Sequence, residues 1–309
     1  MKTLIIDEMH ESILPLLEGI GHVVDYRPEI DRKELLEIIS QYDGLVLRSK
    51  TELDKNLLTL AENLRFIGRA GAGLDKIDLE YIEEKGIYLV NAPEGNKDAV
   101  GEHAIGMLLC LFNHLSRGDH EIRKGIWHRE ENRGEELFGK TVGIIGFGNM
   151  GQAFAEKLSG FGVEILAYDK YKTGFSTEKV KEATFEEIQE KADVLSLHVP
   201  LTSETRGFLS ISVIEDFKKP FYLINTARGE IITFDTLNEA LQRGLLKGAV
   251  LDVLENEKLN QLTHAQRLSF DKLVSRNNVI FTPHVAGWTF QSYAKINQVL
   301  VEKIAKLNL

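Results

Sequence analysis

Cysteine is almost missing from this chain: Cys110 is the only one in 309 residues, so no internal disulfide can form. It lies in the apolar stretch His103-Ala-Ile-Gly-Met-Leu-Leu-Cys-Leu-Phe, which favours buried packing over thiol chemistry. Hydrophobic runs long enough to span a bilayer are absent too, and Met1-Lys-Thr-Leu-Ile-Ile-Asp-Glu turns acidic after three apolar residues, unlike a secretory leader. The expectation is a cytoplasmic protein that does not engage a membrane. Positive charge is in deficit, with 37 Lys and Arg against 47 Asp and Glu for a formal charge of −10. That argues against general nucleic-acid binding, while leaving room for a small basic pocket that takes an anionic metabolite. No repeat, low-complexity segment or long Pro/Gly/Ser linker interrupts the chain, and no His/Cys/Asp spacing suggests zinc or another metal. What remains, 43% hydrophobic and 27% charged residues over a length sufficient for two domains, describes a folded globular protein.

The most informative segment present is Thr141-Val-Gly-Ile-Ile-Gly-Phe-Gly-Asn-Met-Gly, in which a buried-strand pattern runs into Gly146-x-Gly148-x-x-Gly151. The first glycine permits a tight turn, the second lets a pyrophosphate approach the backbone, and the third lets the following helix pack on its strand. Free N–H groups and the helix dipole then face the anion. Asp169 closes a second apolar run, Val163-Glu-Ile-Leu-Ala-Tyr-Asp, where an acid is needed for the ribose hydroxyls. A carboxylate there repels a 2′-phosphate, so NAD is the expected cofactor; Lys170 and Lys172 weaken this only if they are not solvated surface charges.

Short apolar runs at 4–6, 22–24, 44–47, 66–68 and 88–90 alternate with amphipathic stretches such as 32–40 and 79–84, and a second alternation places strands near 142–145, 164–167, 194–197, 222–224, 248–251 and 279–281. The predicted class is α/β, with two doubly wound domains: a Rossmann NAD-binding domain and a flavodoxin-like substrate domain. Residues 98–126 read as one long apolar helix, for which dimer burial is favoured over burial between domains. The amphipathic stretch 292–307 can return to the first domain and make it discontinuous. The expected division is 1–97 with 288–309 as the substrate-binding domain and 98–287 as the NAD-binding domain.

Three segments after the glycine motif end apolar strands with groups suited to hydride-transfer chemistry. Asn225-Thr-Ala-Arg228-Gly229 offers a guanidinium that can grip a carboxylate; Asp252-Val-Leu-Glu255-Asn-Glu257 offers acids; Pro283-His284 offers an imidazole. A carboxylate beside an imidazole favours its protonated form, which can give a proton to a forming alkoxide and take it back. Taken singly, each is more often a surface charge, a solvated acid or a turn residue. Their joint placement at strand ends behind a dinucleotide motif supports a site.

These segments, together with Gly68-Arg-Ala-Gly-Ala-Gly73-Leu-Asp-Lys-Ile-Asp78, Asn91-Ala-Pro-Glu-Gly-Asn96 and Leu197-His-Val-Pro-Leu-Thr202, give a chain that resembles the D-isomer-specific 2-hydroxyacid dehydrogenase family over nearly its full length. The resemblance implies a catalytic set of Arg228 for the substrate carboxylate and carbonyl, His284 as acid and base, and Glu257 as its partner. It further implies cofactor contacts from Gly146, Gly148, Asn149, Met150, Gly151, Asp169, His198, Pro200, Thr205, Thr226, Ala227, Asp252 and Gly287. In that set Asp252 touches the nicotinamide carboxamide and His198 shapes the pocket. Ala72 and Gly73 offer backbone N–H groups to the substrate. The resemblance also implies a dimer built on the helix from Asp98 and a cleft that closes on the substrate.

Within the family the likeness is strongest to members that take a phosphorylated acid. Arg48, Arg69 and Arg129 are similar to arginines that meet the phosphate there, although each can also be read as a surface charge pairing with abundant acids. The implied reaction is NAD-dependent oxidation of 3-phospho-D-glycerate to 3-phosphohydroxypyruvate in serine biosynthesis. A reductase of glyoxylate, hydroxypyruvate or another 2-keto acid is the alternative, and an NAD(H)-sensing binding protein a further one. Three departures stand out. Lys258 replaces the usual proline after Glu257, and residues 258–278 look long enough for a surface insertion. Trp288 is bulky where relatives are small. The chain stops at Leu309 without a regulatory domain, so feedback by serine is not expected.

Overall fold

The computed structural model describes residues 1–307 and 309. They form two compact units, one of Met1–Lys97 with Trp288–Leu309 and one of Asp98–Gly287.

The first unit alternates strand and helix: β1 (Lys2–Ile5), α1 (Ile13–Gly19), β2 (Val23–Tyr26), α2 (Arg32–Ile38), β3 (Gly44–Leu47), α3 (Lys55–Leu60), β4 (Phe66–Arg69), α4 (Leu79–Lys85) and β5 (Tyr88–Asn91). Asp31, Asp54 and Asp78 start α2, α3 and α4, each side chain accepting from the backbone N–H three residues on. The strands pair in parallel in the order β2-β1-β3-β4-β5, the flavodoxin-like arrangement. Both faces are covered because successive side chains point opposite ways. Leu4, Leu45 and Ile67 enter one core cluster, while Ile5, Val46 and Phe66 enter another.

The second unit opens with α5 (Lys97–Phe112) and α6 (Leu115–Arg123), then runs β6 (Thr141–Ile145), α7 (Asn149–Leu158), β7 (Glu164–Tyr168), β8 (Lys181–Glu182), α8 (Phe185–Lys191), β9 (Val194–Leu197), α9 (Ile211–Glu215), β10 (Phe221–Asn225), α10 (Phe234–Gln242), β11 (Leu246–Leu251), α11 (His264–Val274) and β12 (Val279–Phe281). Its parallel sheet has the order β12-β11-β10-β9-β6-β7-β8, a Rossmann sheet with one strand added. The predicted fold class is therefore the observed one.

Two local expectations need correction. Residues 98–126 are not one helix. The chain breaks at His114, which adopts a left-handed conformation (φ 51°), and the end of α5 is capped by the Glu135 N–H donating to the Phe112 carbonyl at 3.0 Å. Burial explains the break: α5 buries Ala104, Leu108 and Phe112, whereas Leu115-Ser-Arg-Gly-Asp-His-Glu-Ile-Arg buries nothing in this chain. Residues 258–278 are not a surface insertion either. They form a 3-10 turn and α11, whose Thr263 and Gln266 make a reciprocal cap and whose Phe270 packs on Phe234 and Phe281.

The chain returns to the first unit as α12 (Phe290–Ile304), which buries Ile296, Leu300, Val301 and Ile304 with Ile5, Val46 and Phe66. Asn297 donates from Nδ2 to the His10 carbonyl (3.0 Å) and Ser12 Oγ (3.2 Å), and Lys303 Nζ reaches Glu94 at 2.8 Å. Among the described residues no helix is long and apolar enough to cross a membrane.

Candidate active site

In the second unit the sheet order reverses between β6 and β9, and the residues after those two strands meet. Gly146 has φ +92°, and a Cβ on it would stand 2.6 Å from the His198 carbonyl oxygen. A Cβ on Gly151 would lie 2.1 Å from the Gly146 carbonyl oxygen, so helix α7 rests directly on the turn. Gly148 is open to solvent-side space and caps α7 without a side-chain hydrogen bond, leaving the helix end with Asn149 and Met150 as a cradle of N–H donors. Asp169 is fixed beyond β7, accepting from the Phe147 N–H (2.8 Å) and the Tyr171 N–H (2.9 Å).

Further along the same edge, Thr226 Oγ1 is buried and has no hydrogen-bond partner. An orphaned hydroxyl on the same sheet edge as an open glycine cradle fits a dinucleotide, whose polar groups would satisfy it. His198 shares a hydrogen bond with Ser196 Oγ at 2.8 Å, and desolvation pushes its imidazole down to about 3, so it is neutral near pH 7. Thr205 Oγ1 donates to the Pro200 carbonyl at 2.7 Å and shapes that loop. The two lysines near Asp169 are engaged elsewhere: Lys170 Nζ donates to Glu204 Oε2 (2.5 Å), and Lys172 Nζ to the Phe147 carbonyl (3.1 Å).

The catalytic candidates follow β10, β11 and β12, which are adjacent in the sheet. After β10, buried Asn225 shapes the turn, accepting from the Ala227 N–H (3.0 Å) and donating to the Arg228 carbonyl (2.9 Å). Arg228 is half-buried, and its Nη1 donates to the Ala227 carbonyl at 2.6 Å. Gly229 lets this turn lie against Leu254 and Glu255, after β11.

After β12, His284 is held with φ 54°, a left-handed conformation unusual for a residue with a side chain. Its N–H donates to the Asp252 carbonyl at 2.8 Å. The Asp252 carboxylate, 1% exposed, accepts from Thr282 Oγ1 (2.6 Å), the Val285 N–H (2.9 Å) and the Ala286 N–H (2.9 Å). Asp252 thus holds the histidine loop from beneath, a role sequence reasoning did not assign. His103 was missed altogether. From α5, its Nε2 lies 3.0 Å from Thr282 Oγ1 and 3.6 Å from Asp252 Oδ1, and only the tertiary fold joins positions so distant in sequence.

Glu257 Oε1 lies 2.8 Å from His284 Nδ1. The hydrogen bond to Glu257 is the main cause that raises the imidazole's pKa, against an opposing desolvation effect. With Nδ1–H directed at the carboxylate, Nε2 is the atom free to exchange a proton, and the nearby Arg228 supplies a fixed positive charge.

In the first unit the sheet order reverses between β1 and β3, and Arg48 stands directly after β3. Arg69 ends the adjacent strand β4, opposite Leu47 in register, with Nη1 donating to the Ala70 carbonyl at 3.2 Å. The Ala72 carbonyl accepts from Asn91 Nδ2 at 2.9 Å, and Ala72 and Gly73 are half-buried. Arg129 belongs to the second unit, where it is exposed near exposed Trp127.

Residues 105–286 match the model of the D-isomer specific 2-hydroxyacid dehydrogenase NAD binding domain. The chain is 35% identical over 310 residues to D-3-phosphoglycerate dehydrogenase of Methanocaldococcus jannaschii, covering 99% of this chain and 57% of that protein. It is 37% identical over 279 residues to hydroxypyruvate reductase of Thermotoga maritima, covering 90% and 88%. It therefore spans little more than half of the first relative but most of the second. Among solved structures, D-lactate dehydrogenase from Aquifex aeolicus, complexed with NAD and lactic acid, superposes with a TM-score of 0.83 at 28% identity, covering 98% of this chain and 94% of that one. A glyoxylate reductase from Paecilomyes thermophila gives a TM-score of 0.87 at 25% identity, covering 98% and 94%. With the glycine cradle, the orphaned threonine and the His284–Glu257 pair in place, the chain belongs to the D-isomer specific 2-hydroxyacid dehydrogenase family.

Proposed function

We propose that this chain is an NAD-dependent dehydrogenase of D-2-hydroxy acids, acting on 3-phospho-D-glycerate and 3-phosphohydroxypyruvate. The observation that carries the catalytic reading is the 2.8 Å contact between His284 Nδ1 and Glu257 Oε1. NAD, held on Gly146, Gly148, Gly151 and Asp169, supplies the hydride acceptor when bound. Arg228 grips the substrate carboxylate and polarises the carbon–oxygen bond being oxidised. His284 Nε2 takes the hydroxyl proton in oxidation and returns it in reduction, while Glu257 keeps the ring oriented and stabilises its protonated state. Asp252 positions this loop; on this reading its contact to the carboxamide is made alongside the hydrogen bonds it already accepts. In this assignment residues 98–287 bind the cofactor and residues 1–97 with 288–309 bind the substrate.

The phosphorylated substrate is supported by Arg48 and Arg69 on adjacent strand ends and by the similarity to D-3-phosphoglycerate dehydrogenases. A homodimer is part of the proposal, with exposed Leu115, Ile122 and Trp127 after α5 as the surface to be covered. The second reading, reduction of hydroxypyruvate, is favoured by the nearly end-to-end match to the Thermotoga relative. Steady-state reduction by NADH of 3-phosphohydroxypyruvate, hydroxypyruvate, glyoxylate and pyruvate separates them. The highest kcat/KM on the phosphorylated acid is expected; a preference for hydroxypyruvate overturns the first reading in favour of the second.

A further inference from the structure

Arg48 is held in an uncommon way. Its Cζ lies 4.1 Å from the Trp288 ring centroid and 5.4 Å from that of Tyr293, and the two rings are 4.8 Å apart at 53°. Its backbone N–H is taken by the buried Asp7 carboxylate, which anchors the residue after β3. The guanidinium reaches the Glu8 carbonyl, at 3.4 Å, and hydrogen-bonds the Tyr293 side chain. Among the described residues it forms no ion pair. In a chain with ten more acidic than basic residues, a cation held by rings keeps a charge that a carboxylate would have cancelled.

Ring faces attract the guanidinium through its plane and leave its in-plane N–H donors open, the geometry that grips an oxyanion in two places. The platform is tied to the fold. Trp288 precedes the Thr289 cap of α12, Tyr293 lies on the first turns of that helix with the His10 ring perpendicular to its own at 5.6 Å between centroids, and Asn297 ties the helix to His10 and Ser12. The location is the point where strand order reverses between β1 and β3, the crevice in which open α/β sheets bind ligands.

We propose that Trp288 and Tyr293 are specificity-determining residues, which hold Arg48 in place so that its remaining N–H groups receive the phosphate monoester of the substrate. The inference rests on the phosphorylated-substrate reading above and names the side chains that enforce it. Loss of the indole frees the guanidinium to swing toward neighbouring acids, so affinity for the distal phosphate falls while chemistry at the carbonyl proceeds.

The test compares wild type, Trp288→Ala, Trp288→Phe and Tyr293→Leu with NADH and three acceptors: 3-phosphohydroxypyruvate, 2-oxoglutarate and hydroxypyruvate. Trp288→Ala is expected to raise KM for the phosphorylated acid about tenfold, the scale of one well-placed cation–π contact. Its kcat, and both constants for hydroxypyruvate, should stay within about twofold of wild type, and Trp288→Phe should recover much of the loss. Equal losses on phosphorylated and unphosphorylated acids, or none on either, overturn the proposal, as does a selective loss on 2-oxoglutarate, which would assign Arg48 to a second carboxylate.

A binding measurement separates this from failure of the substrate reading. Trp127 and Trp288 are the only tryptophans, so Trp127→Phe leaves Trp288 as sole reporter. Titration with inorganic phosphate should give a saturable change in its emission that disappears with Arg48→Ala. That change in an enzyme preferring hydroxypyruvate would uphold the anion site and overturn the substrate reading. Its absence in an enzyme preferring the phosphorylated acid would overturn the site alone.

Discussion

A Cβ on Gly229 would stand 1.9 Å from the carbonyl carbon and oxygen of Leu254, so the turn that carries Arg228 lies in direct backbone contact with the loop that leads to Glu257. Backbone cannot yield as a flexible side chain can. Gly229→Ala is therefore expected to cost about 1–3 kcal/mol of stability, as overpacking does, and to lower kcat/KM at least about tenfold by moving Arg228 from the His284–Glu257 pair. Chemical denaturation and steady-state kinetics check both; kinetics equal to wild type would mean that the contact does not position Arg228.

Glu257 raises the His284 pKa, which fixes the sign of the pH dependence. In the proposed mechanism reduction needs the protonated imidazole, so its rate is expected to fall as pH rises through the raised value, while oxidation needs the neutral ring and should rise over the same range. Glu257→Gln removes the main raising cause, so the falling limb of the reductive profile should move to lower pH. An unmoved limb in the full pH–rate profile would show that another group donates the proton.

His284 and Asp169 are expected to separate chemistry from cofactor binding. His284→Ala should lower kcat by about a hundredfold or more with little change in NADH affinity. Asp169→Ala should weaken NADH binding and narrow the preference over NADPH, because the carboxylate that repels a 2′-phosphate is gone. Fluorescence titration with both cofactors, beside the kinetics, decides it; equal losses of NADH affinity in the two variants would falsify the division.

Asp252 is buried and accepts from Thr282, Val285 and Ala286. Asp252→Asn turns one acceptor oxygen into a donor facing N–H groups and should cost about 3 kcal/mol. Thr282→Val keeps the shape and removes a single hydroxyl, so about 1 kcal/mol is expected. Urea unfolding midpoints of the two variants give the comparison, and an equal cost would place the stabilisation outside the carboxylate's hydrogen bonds.

Much of this molecule was legible because its signals are local. Parallel strands buried on both faces read as short apolar runs, and β3, β9 and β12 lie where those runs lie. The glycine motif announces its own turn, since only residues without Cβ fit at Gly146 and Gly151. Arg228, Glu257 and His284 stood out because strand ends in an open sheet are where ligands bind. The break at His114 was legible only in part: the apolar run ends at Phe112 and a polar stretch follows, but the left-handed backbone belongs to a residue that carries a Cβ and is announced by no local pattern.

The sequence by itself determined the strand and helix periods, the glycine turn between β6 and α7 and the acid that follows β7, because each depends on residues close together in the chain. Only the tertiary structure decided that His103 lies beside Thr282 and Asp252, that Asp252 holds the histidine loop, and that Arg48 rests on Trp288 and Tyr293. Those relations join residues distant in the chain, brought together when the sheets fold and α12 docks on the first unit. Their cause is long-range packing of side chains, which no local pattern encodes.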